Sequence, residues 1–504
     1  MCAIITQQKI GNGGRLGNVL FTYASLIGIS GDKHTLRLPK WEHSKYFVSE
    51  YPESEPINAS VIKESGFHFS PIRIPDRGAF SISGYLQSAK YWQGHEDKVR
   101  KALTFKPEFI EQVKHGYNFQ NSIAIHVRRG DYVGHSEYHN LSPLYYIQAL
   151  YEHFPNWKES NLIFFSDDIE YCRVHFGCLP NAQFSIGSEI EDLARMTLCD
   201  NFIIANSSFS WWGAYLANRG KVVRPIKHFA GNLERTHNIK DLYPTEWLPF
   251  QEIKINLKDV TFTIPVFYDH PDRRQNLDLS ICFLQHYFDT NIVVMENKHR
   301  HFEYVSKYAE YRHCDYPAFH RTKMLNDMAN DCHTDIIVNW DADIIISPMQ
   351  ILKAVESVRN GQDLVYPYNG TFARMPRTWF PQLQKSLDIG IVRNTDFKGI
   401  SNKKRESFGG AVIWNRKSFL SIGGENERFI SFGAEDIERY IRATKLGLKV
   451  SRINGILYHI DHFIGMNSST RNPYFRINRA EYEKVNRMSK EELTEYVNLW
   501  SWKI

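Results

Sequence analysis

One pattern starts twice in this chain, and that restart constrains the fold more than any other feature. An apolar strand running into a glycine-bearing or charged turn begins at Cys2 (CAIITQQKIGNGGRLGN) and begins again at Asp259 (DVTFTIPVFYDHPDRRQN). Strands alternating with helices build an α/β sheet whose strand ends carry ligand groups. A restart therefore predicts two separate sheet systems. The length of 504 residues agrees, since roughly 150 residues per domain is usual. The stretch LYPTEWLPFQEIKINLKD has two prolines and little helical period, so the boundary is expected near 250–258, giving domains 1–250 and 258–504.

Within the first half, SIAIHV (122–127), NLIFFSDD (161–168) and NFIIANSS (201–208) read as apolar strands ending in polar residues, with residues before about 120 forming a lobe of their own. In the second half, TFTIPVF, TNIVVMEN, DIIVNWDADIII (335–346) and LVYPYN read as strands, and RRQNLDLSICFLQHYF and RTKMLNDMAN as amphipathic helices. The polar, basic segment 393–407 reads as a loop able to cover a site.

Hydrophobic residues at 42% and charged residues at 23% exclude a disordered chain. The net charge of +5 suits small anionic ligands and gives no reason to invoke nucleic acid. Seven scattered cysteines without a CxxC pair point to free thiols in a reducing compartment. No basic-then-apolar leader is visible, and no run approaches about 18 apolar residues. The expectation is a cytoplasmic protein with at most peripheral membrane contact at the inner face.

Two constellations carry chemistry. In the first half, His126-Val127-Arg128-Arg129-Gly130-Asp131 follows the strand SIAIHV. One arginine is expected to face a cleft, where its planar fork can grip phosphate oxygens, and the other the interior. The Gly13-Gly14-Arg15-Leu16-Gly17-Asn18 turn and the Ser207-Ser208 pair each precede a helix whose N-terminus can receive an anion. Trp211 and Trp212 read as core. These segments, with GYLQSAKYW (84–92) and EDLARMTLCDNFIIANSSFSWWGAYLA (191–217), resemble bacterial alpha-1,2-fucosyltransferases over residues 5–250. The resemblance implies a GT-B-like pair of Rossmann-type lobes, GDP-fucose as sugar donor, inversion and no metal. It assigns Arg128 to the diphosphate and Gly14, Asn18, His126, Arg129, Asp131, Ser207 and Ser208 to the donor pocket, Arg129 and Asp131 by shaping the loop. The general base stays open among Asp131, His126 and Glu191.

In the second half, Asp341 and Asp343 follow the strand IIVNW, and alternation would set both on one side. Such close carboxylates call for a cation, and oxygen ligands suit Mn²⁺ or Mg²⁺. Glu435 and Asp436 open a helix, where they could simply serve its dipole, and His459 and His462 follow a late strand. IPVFYDHPDR, FHRTKMLN, NWDADIII, FGGAVIWNRKSFLSIGGENERFISFGAEDIERYIRATKLG and the histidine pair resemble beta-1,4-galactosyltransferase-like GT-A enzymes, including chondroitin-polymerase-type modules. That resemblance implies a GT-A domain with Asp343, His459 and His462 as metal ligands, Asp436 as catalytic base and Glu435 as the acceptor-binding acid. Pro265, Phe267, Arg321, Asp341 and Gly410 would bind a UDP-sugar. Phe432 stands where tryptophan is frequent in the family.

The two resemblances together imply a bifunctional transferase that adds fucose from GDP-fucose to O2 of galactose. It would also add galactose or an N-acetylhexosamine from UDP-galactose or a UDP-N-acetylhexosamine. The acceptor is a glycan or lipid-linked oligosaccharide of the O-antigen or capsule type, and the two sites could act in sequence. The rival reading makes one half an inactive glycan-binding or scaffold domain.

Overall fold

The computed structural model describes residues 2–10, 14–393 and 406–503. Gly13 and residues 394–405 of the expected covering loop lie outside them. Contacts divide the chain into two compact units, one of Met1–Cys172 with Asn181–Ile253 and one of Arg173–Pro180 with Lys254–Ile504. Among the described residues no helix is long and apolar enough to cross a membrane.

The first unit holds two parallel sheets. One has strands β1 (Ile4–Thr6), β2 (Thr35–Leu36), β3 (Ser60–Lys63) and β4 (Ala79–Ser83) in the order β2-β1-β4-β3. The other has β5 (Ser122–Val127), β6 (Asn161–Ser166), β7 (Ala182–Phe184), β8 (Asn201–Ile203), β9 (Val222–Pro225) and β10 (Leu248–Phe250) in the order β10-β9-β8-β5-β6-β7. Every residue of β5 is buried, as a central strand covered on both faces requires. One apolar core joins the two sheets. The Leu16–Ser30 helix sends Phe21 against Trp211, 4.5 Å between ring centres, and Trp92 stacks on Trp212 at 5.6 Å. The Trp92 indole N–H donates to the Tyr215 hydroxyl at 2.7 Å, so the polar end of a fully buried ring is satisfied. Trp211 and Trp212 are core residues.

The second unit has strands β11 (Ile255–Val266), β12 (Phe288–Asn297), β13 (Glu310–Cys314), β14 (Ile336–Trp340), β15 (Ile344–Ile345), β16 (Leu364–Tyr366), β17 (Phe372–Met375), β18 (Ala411–Asn415), β19 (Val450–Arg452) and β20 (Leu457–Ile460). The main sheet runs β13-β12-β11-β14-β18-β16-β19, and a small one runs β15-β20-β17. The main sheet is mixed, because β18 lies antiparallel to β14 and β16. That reversal brings the start of β18 to the end of β14: Trp340 pairs with Ala411, and the Asp341 N–H donates to the Gly410 carbonyl at 2.8 Å. The run DIIVNWDADIII is thus not one strand. It leaves the main sheet after Trp340, turns through Asp341–Asp343 and enters the small sheet as β15.

Helix Leu16–Ser30 touches the Ala89–Trp92 turn so closely that a Cβ on Gly28 would stand 2.2 Å from the Tyr91 carbonyl oxygen and 2.3 Å from the Trp92 Cα. Backbone cannot step aside as a side chain can. The Gly28→Ala variant is expected to lose about 1–3 kcal/mol of stability, the usual cost of overpacking. Urea unfolding followed by tryptophan fluorescence would read it, and an unchanged midpoint would contradict the packing described.

Candidate functional site

In the first unit a cavity of about 350 Å³ lies along the C-terminal ends of the second sheet's strands. Sheet order sets the order of its wall. His228 and Phe229 follow β9, Ser207 and Ser208 follow β8, His126 and Arg128 close β5, Ser166 and Asp167 close β6, and Gly187 with Glu189 follow β7. Two helices open onto its middle. Gly17 permits this, since a Cβ there would meet the Ser208 and Phe209 backbone at 2.6 Å. The Ser207 hydroxyl accepts from the Phe209 N–H and caps the second helix. The Ser208 hydroxyl and the Gln87 amide both donate to Asn18 Oδ1 at 2.8 Å. Two helix N-termini thereby meet on one stretch of the cavity wall.

Arg128 sits there, paired with Asp167 at 2.6 Å and with Asp131. Arg15 adds a second guanidinium, 3.3 Å from Asp131. Arg129 turns away from the cavity. Its guanidinium lies 3.7 Å from the Tyr171 ring centre and pairs with Asp168, while its backbone N–H donates to Asp167 at 2.9 Å. Its assignment to the donor pocket is therefore corrected: it braces the loop from behind. Gly14 also stands off the cavity wall, one residue before the helix's N-cap, Arg15. Burial pushes the His126 imidazole down to about 4, against the pull of Asp167, so it is neutral near pH 7. Burial pushes His228 further down, to about 3, and its Nδ1 lies 2.8 Å from the Tyr243 hydroxyl. Glu191 is removed as a candidate base. Its carboxylate accepts from the Ser188 N–H and hydroxyl in a capping box, and it is not part of the cavity wall.

In the second unit a cavity of about 530 Å³ lies where β11 and β14 end and β18 begins. Pro265, Phe267, Arg321, Asp341 and Gly410 all line it. The turn after Trp340 separates the two aspartates by partner. Asp341 takes the Arg321 guanidinium at 2.8 Å. Asp343 faces His462 at 3.0 Å and His459 at 3.6 Å. The β15–β20 ladder fixes this, pairing Ile344 with His459, while the Ile460 N–H donates to the Asp343 carbonyl at 2.8 Å. One ligand atom from each of Asp343, His459 and His462 lies within 4.8 Å of the others. A carboxylate with two imidazoles fits a divalent cation. Arg273, unassigned from sequence, supplies a positive charge at the same place, 2.8 Å from Asp343 and 3.0 Å from His462 Nε2. Burial alone would raise the Asp343 carboxyl. His459, His462 and Arg273 instead hold it well below the usual range.

Across the cavity the Glu435–Lys445 helix presents Glu435 and Asp436. The turn leading to it is strained, with Ser431 and Ala434 at φ values of 59° and 64°. Asp436 receives Arg439 at 2.8 Å and Arg321 at 3.2 Å, and Arg439 is anchored on buried Glu425 at 2.7 Å. Burial would raise Asp436, but the two arginines hold it below the ordinary carboxylate range. Glu435 goes the other way. Burial, and then the charge of Asp436, push it up to about 7. Asp436 is thus engaged by Arg321 from another helix and by Arg439 of its own, and the helix has no side-chain cap.

Sequence reasoning missed Asp167, Arg15 and His228 in the first unit, and Arg273, Arg439 and Glu425 in the second. Asp167 had a signal, the polar end of NLIFFSDD. Arg273 had a weaker one, the DRRQN that opens the helix after the second restart. Arg15 and His228 come into place only through packing.

Comparison with known proteins gives a match in each half of the chain. Residues 40–251 match the model for glycosyl transferase family 11, and residues 391–464 match the N-terminal domain of galactosyltransferase. An alpha-1,2-colitosyltransferase of Escherichia coli is 32% identical over 194 residues, 35% of this chain and 64% of that protein. An O-antigen biosynthesis glycosyltransferase of the same species is 30% identical over 195 residues, 35% and 65% of the two chains. A galactoside 2-alpha-L-fucosyltransferase of Caenorhabditis elegans is 26% identical over 183 residues, covering 32% and 50%. The chain thus spans a little under two thirds of the first two relatives and half of the third. Among solved structures, a Drosophila beta-1,4-galactosyltransferase 7 complex with xylobiose is 15% identical, covering 40% of this chain and 65% of that one, with a TM-score of 0.26. That likeness is too loose to bear on the chemistry. Residues 40–251 are thus similar to glycosyl transferase family 11, and residues 391–464 to the N-terminal domain of galactosyltransferase.

Proposed function

We propose that the chain is a bifunctional inverting glycosyltransferase. The first unit is read as a GT-B-like enzyme that moves fucose from GDP-fucose to O2 of a galactose. The second is read as a GT-A enzyme that moves galactose or an N-acetylhexosamine from its UDP-sugar in β linkage. The acceptor is a surface glycan or its lipid-linked precursor of the O-antigen type. The observation that carries this reading is that each unit has its own cavity with its own means of neutralising a departing diphosphate. One has Arg128 beside two helix N-termini. The other has Asp343, His459 and His462 opposite Asp436.

In the first unit, negative charge grows on the β-phosphate as GDP leaves. Arg128 and the N–H groups after Arg15 and Ser207 meet that charge in a site already organised for it. Asp131 and Asp167 hold the guanidinium in position. Asp131 and His126 remain on the wall as bases for the acceptor hydroxyl. In the second unit, Mn²⁺ or Mg²⁺ held by Asp343, His459 and His462 would supply Lewis-acid stabilisation of the UDP leaving group. Asp436 takes the proton of the acceptor hydroxyl. Arg321 and Arg439 keep it ionised and aimed, and protonated Glu435 donates a hydrogen bond to the acceptor.

A screen of GDP-fucose, GDP-colitose and UDP-sugars with Arg128→Ala and Asp343→Ala variants tests the two-site reading. Arg128→Ala is expected to cut the GDP-sugar reaction by at least about a hundredfold, the scale of a lost transition-state contact, and to spare the UDP-sugar reaction. Asp343→Ala should do the reverse, and EDTA should stop the UDP-sugar reaction alone. Loss of both reactions in either variant would contradict two independent sites. The pH profile of the UDP-sugar reaction should fall on the alkaline side of about pH 7 as Glu435 loses its proton, and Glu435→Gln should remove that limb. Electron paramagnetic resonance of free Mn²⁺ should show tighter uptake by Arg273→Gln, whose Asp343 no longer faces a guanidinium, and no uptake at this site by Asp343→Asn.

A further inference from the structure

The first unit's cavity has one end that the phosphate chemistry leaves unused. From Tyr132, whose ring centre lies 5.1 Å from the Arg128 guanidinium, toward the β9 side its wall is aromatic. Tyr132 stacks flat on Tyr138, with ring centres 4.2 Å apart. Tyr138 continues to Phe229 at 6.4 Å, and Phe229 to Phe67 at 5.2 Å. Phe67 meets Tyr85 at 6.0 Å and His237 at 5.0 Å. All six rings line the cavity. The wall draws on both sheets, since Tyr85 follows β4 and Phe229 follows β9.

Phe67, Phe229 and Tyr132 are buried and continue the apolar core, but the outermost ring stays in water: Tyr85 is 56% exposed. The chain spends structure to keep it there. The Glu64 carboxylate accepts from the Tyr85 and Leu86 N–H groups at 2.9 and 3.1 Å and from the Tyr91 hydroxyl at 2.8 Å. Leu86 holds a left-handed φ of 53°, costly for a side chain of its size. A strained, carboxylate-clamped turn that presents a large ring beside a cavity indicates a ligand with a flat apolar face and polar edges.

We infer that this aromatic wall is the acceptor subsite, and that it takes the apolar face of a hexopyranoside. The inference rests on reading the first unit as a GDP-sugar transferase. Sheet order supports the assignment. A diphosphate at Arg128 has the aromatic wall on its β9 side and two carboxylates on its β7 side, Glu189, which faces His43 at 3.4 Å, and Asp192, whose Oδ1 already accepts from Ser185 and Arg195. Guanine offers ring N–H and amino donors that match carboxylates, so the base goes to the β7 end. The sugar, and the acceptor hydroxyl that attacks it, then lie toward the rings.

The test uses the whole chain with methyl β-galactoside and no nucleotide, read by saturation-transfer NMR, with GDP binding measured by calorimetry on the same samples. Galactoside ring protons should receive saturation in the parent and in Tyr85→Phe. In Tyr85→Ala the galactoside affinity should fall about tenfold or more, the size of one lost stacking contact, while GDP affinity holds. Equal galactoside binding by Tyr85→Ala and the parent overturns the inference. So does a Tyr85→Ala variant that loses GDP affinity instead, since the ring would then hold the base. A parent that binds galactoside but not GDP sinks the GDP-sugar reading and leaves the sugar-binding wall standing.

Discussion

Both cavities are organised around a guanidinium set between carboxylates that would otherwise repel. In the first unit Arg128 lies between Asp131 and Asp167. In the second, Arg321 lies between Asp341 and Asp436, and Arg439 holds Asp436 from the other side against buried Glu425. Carboxylates this close cannot all ionise without a counter-charge. Removing one partner from a buried pair costs about 3–5 kcal/mol, because the other charge is stranded. The same arginines divide the acid pair on the Glu435–Lys445 helix. Asp436 has direct contact with two guanidinium groups and stays ionised. Glu435, 3.8 Å from Arg321, is pushed up to about 7, first by burial and then by the charge of Asp436. Neighbouring acids are thereby shifted in opposite directions by position alone.

The strands deliver these groups, and the way each sheet is wound decides which groups meet. In the first unit every pairing in the second sheet is parallel, so all strand ends face one way and the cavity reads across them in sheet order. In the second unit a purely parallel sheet would have left the Phe408–Gly410 turn at the wrong end. Reversed β18 returns it to the end of β14, where the Gly410 carbonyl receives the Asp341 N–H.

Much of this was legible in the sequence, and the misses share a cause. Strand β5 coincides with SIAIHV, and NLIFFSDD and NFIIANSS contain β6 and β8, because buried parallel strands are continuous apolar runs. His459 and His462 could be paired with Asp343 only through family resemblance. No spacing reveals that β15 and β20 lie side by side. The Asp341–Asp343 alternation was drawn from a strand that ends at Trp340, yet the turn that follows leaves both carboxylates on the wall of one cavity. Glu191 looked available as a base because a capping-box glutamate and a cleft glutamate read alike until Ser188 is seen to bind it. Arg273 and the aromatic wall were invisible, being assembled from residues far apart in the chain and joined only by packing.

The contact of Gly17 with the Ser208 and Phe209 backbone has a mechanical consequence. Two peptide chains touching without an intervening side chain act as a fulcrum, since neither can slide toward the other. A tilt of the four-stranded sheet against the six-stranded one would turn about that point and would displace the groups beside it least. Displacement grows with distance from the pivot and is greatest where Tyr85 and Phe67, carried by one sheet, oppose Phe229 and Tyr138, carried by the other. A tilt of that kind would change the spacing of those rings before it changed the spacing around Arg128.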